Sequence, residues 1–184
     1  RNHGWRRPAE VPGELRWSSG PGSKPLPEVP ADAPADLPRV DEDAALERWH
    51  AFLEDDLAQY ADRRDRPDLD ATSQLSVHLK YGTIHARTLL ADLAEHPAGR
   101  TKGAQTFASE LAWREFYADV LYHAPASAWS DWRSDLRLSY QDPATDPEAG
   151  AAFDAWRAGR TGFPFVDAGM RQLLATGWMH NRLR

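Results

Sequence analysis

Residues Phe107–Tyr117 read FASELAWREFY, and their spacing predicts one helix with two unlike faces. Four large polar or aromatic residues fall at positions i, i+3, i+4 and i+7 on one side of it: Glu110, Trp113, Arg114 and Tyr117. The opposite side carries small or apolar residues that can pack: Ala108, Leu111, Ala112 and Phe116. A core helix, with packed aromatics and an arginine stem lying on apolar surface, is the commoner explanation of this pattern. The same four residues would also suit the wall of a cleft.

Length, charge and cysteine content limit the classes of protein. The chain has 184 residues, a net charge of −6 and no cysteine, and this length suits one ordinary domain. The absence of cysteine excludes disulfides and thiolate metal sites and fits a reducing compartment, so we expect a cytoplasmic protein. No apolar run approaches the roughly 20 residues of a membrane span, and we expect no membrane contact. Because the total charge is acidic, any phosphate-binding surface has to be local and rich in arginine.

The two ends of the chain differ from its helical middle. Residues 1–39 hold eight of the fourteen prolines, which predicts an extended linker with little regular structure. The chain opens at Arg1 without an initiator methionine and stops at Arg184 within WMHNRLR, which reads as helical with no stop signal. We therefore expect a fragment of a longer protein.

Cap residues predict several helices after the linker. Asp41 is a good N-cap for a first helix, whose apolar stripe is expected to end near Arg63. Gly82 can end a short helix in the left-handed conformation, and Thr83 can cap the next one, Ile84–Glu95.

The later helices are marked in the same way. The opening stretch is expected to continue as a helix to about Tyr122. Pro164 suits the first turn of a last helix, within which Asp167 and Arg171 can pair at i, i+4. Gly177 can end that helix. No alternating strand pattern of useful length occurs, so the predicted class is all-α.

Thr72-Ser73-Gln74-Leu75-Ser76 places hydroxyl residues beside a predicted helix start. Side-chain oxygens and unpaired backbone N–H groups together can bind phosphate, although ordinary capping uses the same residues and is commoner. His78 and His85 lack the spacing and supporting carboxylate of a zinc motif, so we expect no metal site. No dinucleotide-binding, Walker or nucleophile-elbow motif occurs. The residue pattern alone predicts no more than a soluble helical domain with one unusual helix face.

Three stretches together resemble the photolyase/cryptochrome family. They are TSQLS at 72–76, ELAWREFY at 110–117 and GRTGFPFVDAGMRQLLATGWMHNRLR at 159–184, in the order and spacing of the family. The chain most resembles a class I cyclobutane pyrimidine dimer photolyase. The resemblance implies that residues 1–39 are the connector between two domains. Residues 40–184 would form the first half of the helical FAD-binding domain, truncated at its C-terminal end.

The function implied by this resemblance is light-driven DNA repair. Family members with deoxyribodipyrimidine photo-lyase activity open pyrimidine dimers by electron transfer from reduced FAD. We expect a monomer that acts on dimer-containing DNA, with an antenna pigment in an upstream domain. The fragment alone would be inactive and would hold FAD poorly, because further family contacts lie downstream. Two alternatives stay open: a cryptochrome-type blue-light receptor without repair activity, and a non-catalytic helical DNA-binding module.

The resemblance also assigns roles by position. The residues implied to hold FAD are Tyr60, Thr72, Ser73, Gln74, Leu75, Ser76, Phe107, Glu110, Arg114, Tyr117 and Arg184. Glu110 is also the implied catalytic residue, and the implied DNA-binding residues are Trp113, Asn181, Arg182 and Arg64. A damaged base pair costs less to unstack than an intact one, and Trp113 offers a ring on which a flipped base can stack. Glu110 can hydrogen-bond the base edge and stabilise the radical anion of the dimer if it is protonated or if its neighbours are cationic.

Two positions depart from the family pattern. Phe107 stands where many members have a flavin-contacting Trp, which keeps the ring and loses the indole N–H. Tyr140 stands where the outermost Trp of a flavin-reducing electron-transfer chain is expected, and the inner members would lie beyond Arg184. Photoreduction by that route is therefore in question, whereas repair by already reduced flavin is not. Glu110 with Trp113 favours a repair enzyme, because many cryptochromes differ at these positions.

Overall fold

The computed structural model describes residues 37–133, 135 and 139–184, with isolated positions before them at 7–10, 12–14, 22, 25, 28, 30, 31 and 33. These residues form helices and turns and no strand, which confirms the predicted all-α class. Much of the predicted linker at 1–39 lies outside the described residues. Within the described part, no helix has the length and apolar character needed to cross a membrane.

Seven α-helices follow one another in the described part of the chain. They are α1 (Glu42–Asp55), α2 (Tyr60–Arg63), α3 (Ser76–Tyr81), α4 (Ala86–Glu95), α5 (Lys102–His123), α6 (Pro147–Arg157) and α7 (Pro164–Thr176). Short 3₁₀ turns lie at Leu57–Gln59, Pro125–Ala128 and Asn181–Leu183. The run WMHNRLR is therefore not an α-helix here, because only its last part forms a 3₁₀ turn.

The first predicted helix is broken into two. Asp41 is its N-cap as predicted, and its carboxylate accepts a hydrogen bond from the backbone N–H of Ala44 at 2.7 Å. The expected continuation to Arg63 is wrong, because α1 ends at Asp55 and a 3₁₀ turn precedes α2. That turn brings the Leu57 carbonyl so close to α5 that a Cβ added at Gly103 would lie 1.9 Å from its oxygen. Packing against α5 thus overrides the local helical pattern.

The caps around α3 and α4 are right in one case and wrong in another. Gly82 ends α3 with a φ of 79°, as predicted. Thr83 does not cap the following helix, which begins at Ala86 rather than at Ile84. The cap is His85, whose Nδ1 accepts from the N–H of Arg87 at 3.0 Å. The hydroxyl of Thr83 lies 2.9 Å from a ring nitrogen of the buried His78 instead, so it is already engaged.

An aromatic cluster forms the centre of the core. Trp49 and Phe52 of α1 lie with ring centroids 5.4 Å and 5.0 Å from Phe107 of α5. The indole N–H of Trp49 donates to Asp92 of α4 at 2.8 Å, which satisfies the polar end of a fully buried side chain. This cluster joins α1, α4 and the first half of α5.

The second half of α5 leaves the core. Leu111 packs there as predicted, but Phe116, expected on the packed side, is half exposed. Residues 112–119 are all exposed, and Phe116 packs edge-on against Trp113 with ring centroids 5.5 Å apart.

A polar turn organises α6 and α7. Pro164 lies in the first turn of α7, and Gly177 ends it with a φ of 69°, both as predicted. The expected pair between Asp167 and Arg171 is not formed. The buried Asp167 accepts instead from the N–H and hydroxyl of Thr161 at 2.8 Å and 2.6 Å, and Arg171 donates to the carbonyl of Gly159. These nearer donors, with the Thr161 hydroxyl first, lower the pKa of Asp167 despite its burial.

Candidate functional site

A cleft of about 560 Å³ opens along the exposed face of α5. Four segments line it: the end of α2, residues 72–80, the face of α5 and residues 178–184. Segments far apart in sequence therefore meet at one hollow.

Nearly all of the site residues predicted from sequence line this cleft. They are Arg64, Thr72, Ser73, Gln74, Leu75, Ser76, Phe107, Glu110, Trp113, Arg114, Tyr117, Asn181, Arg182 and Arg184. The structure thus brings together residues that the sequence separates, although their individual roles stay predictions. The face with spacing i, i+3, i+4 and i+7 is a cleft wall and not a core face, which decides between the two interpretations of the opening stretch.

Tyr60 and Tyr140 lie elsewhere. Tyr60 is buried, and its ring meets Phe107 edge-on with centroids 5.6 Å apart, so it sits behind the cleft wall. Burial raises the pKa of its hydroxyl, which stays neutral. Tyr140 is exposed and donates to Asp131 at 2.8 Å, in a separate hollow beside Trp129. The hydrogen bond to Asp131 raises the pKa of Tyr140.

Glu110 and Arg64 form an ion pair at the cleft wall. The guanidinium of Arg64 donates to a carboxylate oxygen of Glu110 and lies 5.7 Å from the centre of the Tyr60 ring. Partial burial opposes the charged form of Arg64, but the hydrogen bond to Glu110 and nearby charges raise its pKa overall. Glu110 therefore has a permanently cationic neighbour, which is one of the two conditions for its predicted role.

Asp65 extends the ion pair of Arg64 and Glu110 to Arg182 on the other side of the cleft. Both Nε and Nη2 of Arg182 approach one oxygen of Asp65, at 2.7 Å and 2.5 Å, and Nε of Arg64 lies 3.6 Å from the same oxygen. The hydrogen bond from Arg182 is the main cause that lowers the pKa of Asp65. Burial opposes it, and the positive charges of Arg182 and Arg64 lower the pKa further. Sequence reasoning missed Asp65, because its partner Arg182 lies 117 positions away.

Trp113 presents one side of its ring to neighbours. It is half exposed, meets Phe116 edge-on at 5.5 Å and lies at a tilt 6.1 Å from Tyr117. The aromatic neighbours hold the indole on the α5 side, while the ring lines the cleft. A supported, half-exposed ring is suited to stacking against a flat ligand.

The segment 72–76 has an unusual backbone held from behind. Gln74 adopts a positive φ of 52°, the one such non-glycine residue in the described part of the chain. Arg48 of α1 donates through Nε to the Ser73 carbonyl at 3.0 Å and through Nη2 to the Thr72 carbonyl at 2.6 Å. No sequence signal indicated Arg48, because these contacts span 24 and 25 positions.

The cleft combines an apolar floor with cationic edges. Sequence reasoning also missed most of the floor, which includes Leu79, Leu111, Trp178 and Met179. Leu79 and Leu111 follow ordinary core spacing, and nothing local distinguishes a core position from a cleft floor. Arg114 donates to the carbonyl of Leu79 at 3.1 Å and to Glu115, so its guanidinium is held at the cleft.

Comparison with known proteins gives a consistent result. Residues 107–184 match the family model described as the FAD binding domain of DNA photolyase. The chain is 41% identical over 172 residues to a deoxyribodipyrimidine photo-lyase of Halobacterium salinarum, which covers 88% of this chain and 35% of that protein. A protein of the same name from Streptomyces griseus is 37% identical over 191 residues, covering 98% of this chain and 38% of the relative.

Solved structures give the same result. A crystal structure of a bacterial class III photolyase from Agrobacterium tumefaciens matches with a TM-score of 0.69 and 36% identity, over 78% of this chain and 29% of that one. An archaeal photolyase from Sulfolobus tokodaii, solved with two FAD molecules, matches with a TM-score of 0.62 and 31% identity, over 78% of this chain and 29% of that one. The chain thus spans less than two fifths of the length of each of these four relatives.

Proposed function

Because the chain belongs to the DNA photolyase family through its FAD-binding domain, we propose that its cleft binds FAD and that the full-length protein repairs cyclobutane pyrimidine dimers in DNA under light. One observation carries the proposal. A single cleft collects the implied flavin-binding segment 72–76, the aromatic and acidic face of α5, and the arginines near the C-terminal turn.

The donor groups of the cleft fit this cofactor. FAD combines a flat aromatic ring system with an anionic diphosphate. The apolar floor suits the ring system, and the hydroxyls of Thr72, Ser73 and Ser76 with the guanidinium of Arg114 suit the diphosphate. The volume of about 560 Å³ falls in the range of small-molecule sites.

The side chains facing the lesion can each perform a distinct task. Bound FAD, when reduced and excited by light, supplies the electron that opens the dimer. Trp113 provides a stacking surface for a flipped base, and Glu110 accepts hydrogen bonds from its exposed edge. Arg64, held against Glu110, provides positive charge next to the base on which negative charge develops.

DNA phosphate contacts would be local. Arg182 and Asn181 lie exposed at the cleft beside Arg184, so a small cationic region is available despite the acidic total. Phosphate contacts of this kind fix the position of the duplex and weaken with added salt.

The test is light-dependent repair of a dimer-containing oligonucleotide by the full-length protein carrying reduced FAD. We expect restored bases in illuminated samples and none in the dark. Glu110→Ala should keep FAD bound and lower the repair per absorbed photon, because a contact to the lesion is lost. An unchanged quantum yield would remove Glu110 from the mechanism.

The same experiment separates the alternatives. Bound flavin that absorbs blue light, without repair in light, would indicate a cryptochrome-type receptor. Full-length protein that binds DNA but never carries flavin would indicate a non-catalytic DNA-binding module. Either result would overturn the proposal.

A further inference from the structure

The geometry points to Arg48 as a positioning residue for the cofactor diphosphate. It does not line the cleft and so would not touch FAD; it lies in a hollow behind the segment 72–76, together with Val77 and His78. From there its guanidinium donates to two successive carbonyls, those of Thr72 and Ser73. This inference rests on the proposed function, because it concerns FAD in that same cleft.

The two contacts with Arg48 also fix the direction in which the neighbouring backbone N–H groups point. Among the described residues every peptide bond is trans, and in a trans peptide the C=O and N–H point in opposite directions. With the carbonyls of Thr72 and Ser73 held toward Arg48, the N–H groups of Ser73 and Gln74 point away from it. Neither N–H donates a hydrogen bond within the part of the chain that the structure describes. The N–H groups of Ser73 and Gln74 therefore lie on the side opposite Arg48, where they can donate to a ligand.

The backbone at Gln74 completes this arrangement. Its φ of 52° is left-handed, and the next residue, Leu75, has a φ of −79° and a ψ of 4°. In such a left-handed and right-handed pair, the successive N–H groups of Gln74, Leu75 and Ser76 form a concave anion-binding backbone. The N–H of Leu75 also lies 3.5 Å from the hydroxyl oxygen of Ser73. A non-glycine residue in the left-handed region is strained. Arg48 holds the carbonyls of the two residues before Gln74, and Asp70 accepts hydrogen bonds from both Nη2 of Arg48 and the side-chain amide of Gln74.

The chemistry of this contact requires arginine. Nε and Nη2 lie in one rigid plane, so they can meet two neighbouring carbonyls at once. The side chain is more than half buried, at 29% exposure. A lysine has a single ammonium on a flexible stem and cannot hold both carbonyls in the same geometry.

The test measures dissociation constants of the full-length flavin-free protein for FAD and for riboflavin, which lacks the diphosphate. Arg48→Met keeps the apolar stem and removes both donors. We expect it to weaken FAD binding about 10-fold or more, since hydrogen bonds involving a charged group are at stake. Riboflavin binding should stay within about 2-fold, because the isoalloxazine contacts remain. Arg48→Lys should give an intermediate loss for FAD.

The matched control is Arg39→Met, an exposed arginine that lines the same hollow. Among the described residues its hydrogen bonds go to the side chains of Glu47 and Asp41 and not to residues 72–76. This variant should leave both dissociation constants unchanged. Equal losses for FAD and riboflavin in Arg48→Met, or no loss for FAD, would overturn the positioning role. If Arg48→Met fails to fold by circular dichroism, the FAD-to-riboflavin ratio of Arg48→Lys decides. Wild-type protein that binds neither flavin would refute the proposed function itself, and this inference with it.

Discussion

Residues 45–111 bury a large cluster of apolar side chains around Trp49 and Phe107, whereas residues 147–184 bury only two apolar side chains larger than glycine, those of Met170 and Met179. The structure describes every residue of the second region, so no buried side chain is missing from that count. The first region is stabilised by apolar burial, and the second by polar contacts in its turns. The cleft lies between two walls of different origin.

This difference indicates which wall of the site is rigid. Glu110 and Trp113 stand on α5, whose first half is fixed in the apolar core. Arg182 and Asn181 stand on a short turn tied to the other wall through the exposed Asp65. We therefore expect a rigid wall for the flavin and the lesion, and an adjustable wall for DNA phosphates.

The largest expected effect is the difference in stability between a variant that lacks a buried indole in the first region and one that lacks an exposed indole in the second. Trp49→Ala should lower the free energy of unfolding by about 3–5 kcal/mol, because the side chain is fully buried. It also leaves Asp92 without its donor. Trp156→Ala, on α6 at 43% exposure, should cost no more than about 1 kcal/mol. Urea unfolding of both variants measures the difference, and equal losses would contradict the contrast between the regions.

A second pair of variants probes close approaches in the two regions. Gly103→Ala would place a Cβ 1.9 Å from the Leu57 carbonyl oxygen, and since backbone cannot rotate away we expect about 3 kcal/mol of destabilisation. Gly169→Ala would meet Leu183 at 2.8 Å. We expect only about 1 kcal/mol there, because the terminal 3₁₀ turn can shift. Thermal unfolding monitored by circular dichroism ranks the pair; the reverse order would place the rigid region at α7.

A third prediction concerns the wall of the cleft. Trp113→Ala in the full-length protein should weaken binding to dimer-containing DNA by about 1–3 kcal/mol, the usual value of one base stacked on an aromatic ring. Tyr122→Ala is the control, since this exposed residue of α5 does not line the cleft. Filter-binding titrations give both affinities. If mutant and wild type bind the damaged DNA equally, Trp113 is not a stacking surface.

The smallest expected effect on stability comes from the ion pair between Arg182 and Asp65, which joins the two walls of the cleft. Arg182 lowers the pKa of Asp65 below its usual 3.8 in the folded state. The contribution of Asp65 to stability is thus present at a pH above its pKa in the unfolded state, and it is lost as the pH falls through its pKa in the folded state. For such exposed groups it amounts to about 1 kcal/mol at most. Wild type and Asp65→Asn should differ by that amount in urea unfolding at about pH 6, and the difference should shrink as the pH is lowered below 3.8 and in high salt. A gap that persists under those conditions would refute this origin.

Local patterns were enough for part of the structure. The spacing from Glu110 to Tyr117 predicts that these residues share one face of α5, because helical geometry alone puts them on one side. That this face lines a cleft was not predicted from the spacing, which favoured a core helix. Gly82 and Gly177 are recognisable because the left-handed conformation favours glycine. Such features depend only on neighbours within about one or two turns of helix.

Contacts between distant segments were not accessible in this way. The break after Asp55 follows from the approach of α5 to Leu57, which no residue near Asp55 encodes. Arg48 reads as an ordinary helix-surface arginine until its contacts with residues 72 and 73 are known. The cap at His85 replaced Thr83 because a buried histidine competes for the threonine hydroxyl.

The backbone contact at Gly103 also bears on how freely the sequence can vary. At Gly103 no side chain separates the main chain of α5 from the Leu57 carbonyl of the 3₁₀ turn, so main-chain atoms limit how closely the two segments approach at this point. Arg64 and Glu110 are carried by the chain just beyond this contact on either side. We therefore expect the spacing of this ion pair to depend more on the glycine at position 103 than on the size of any one interior apolar side chain.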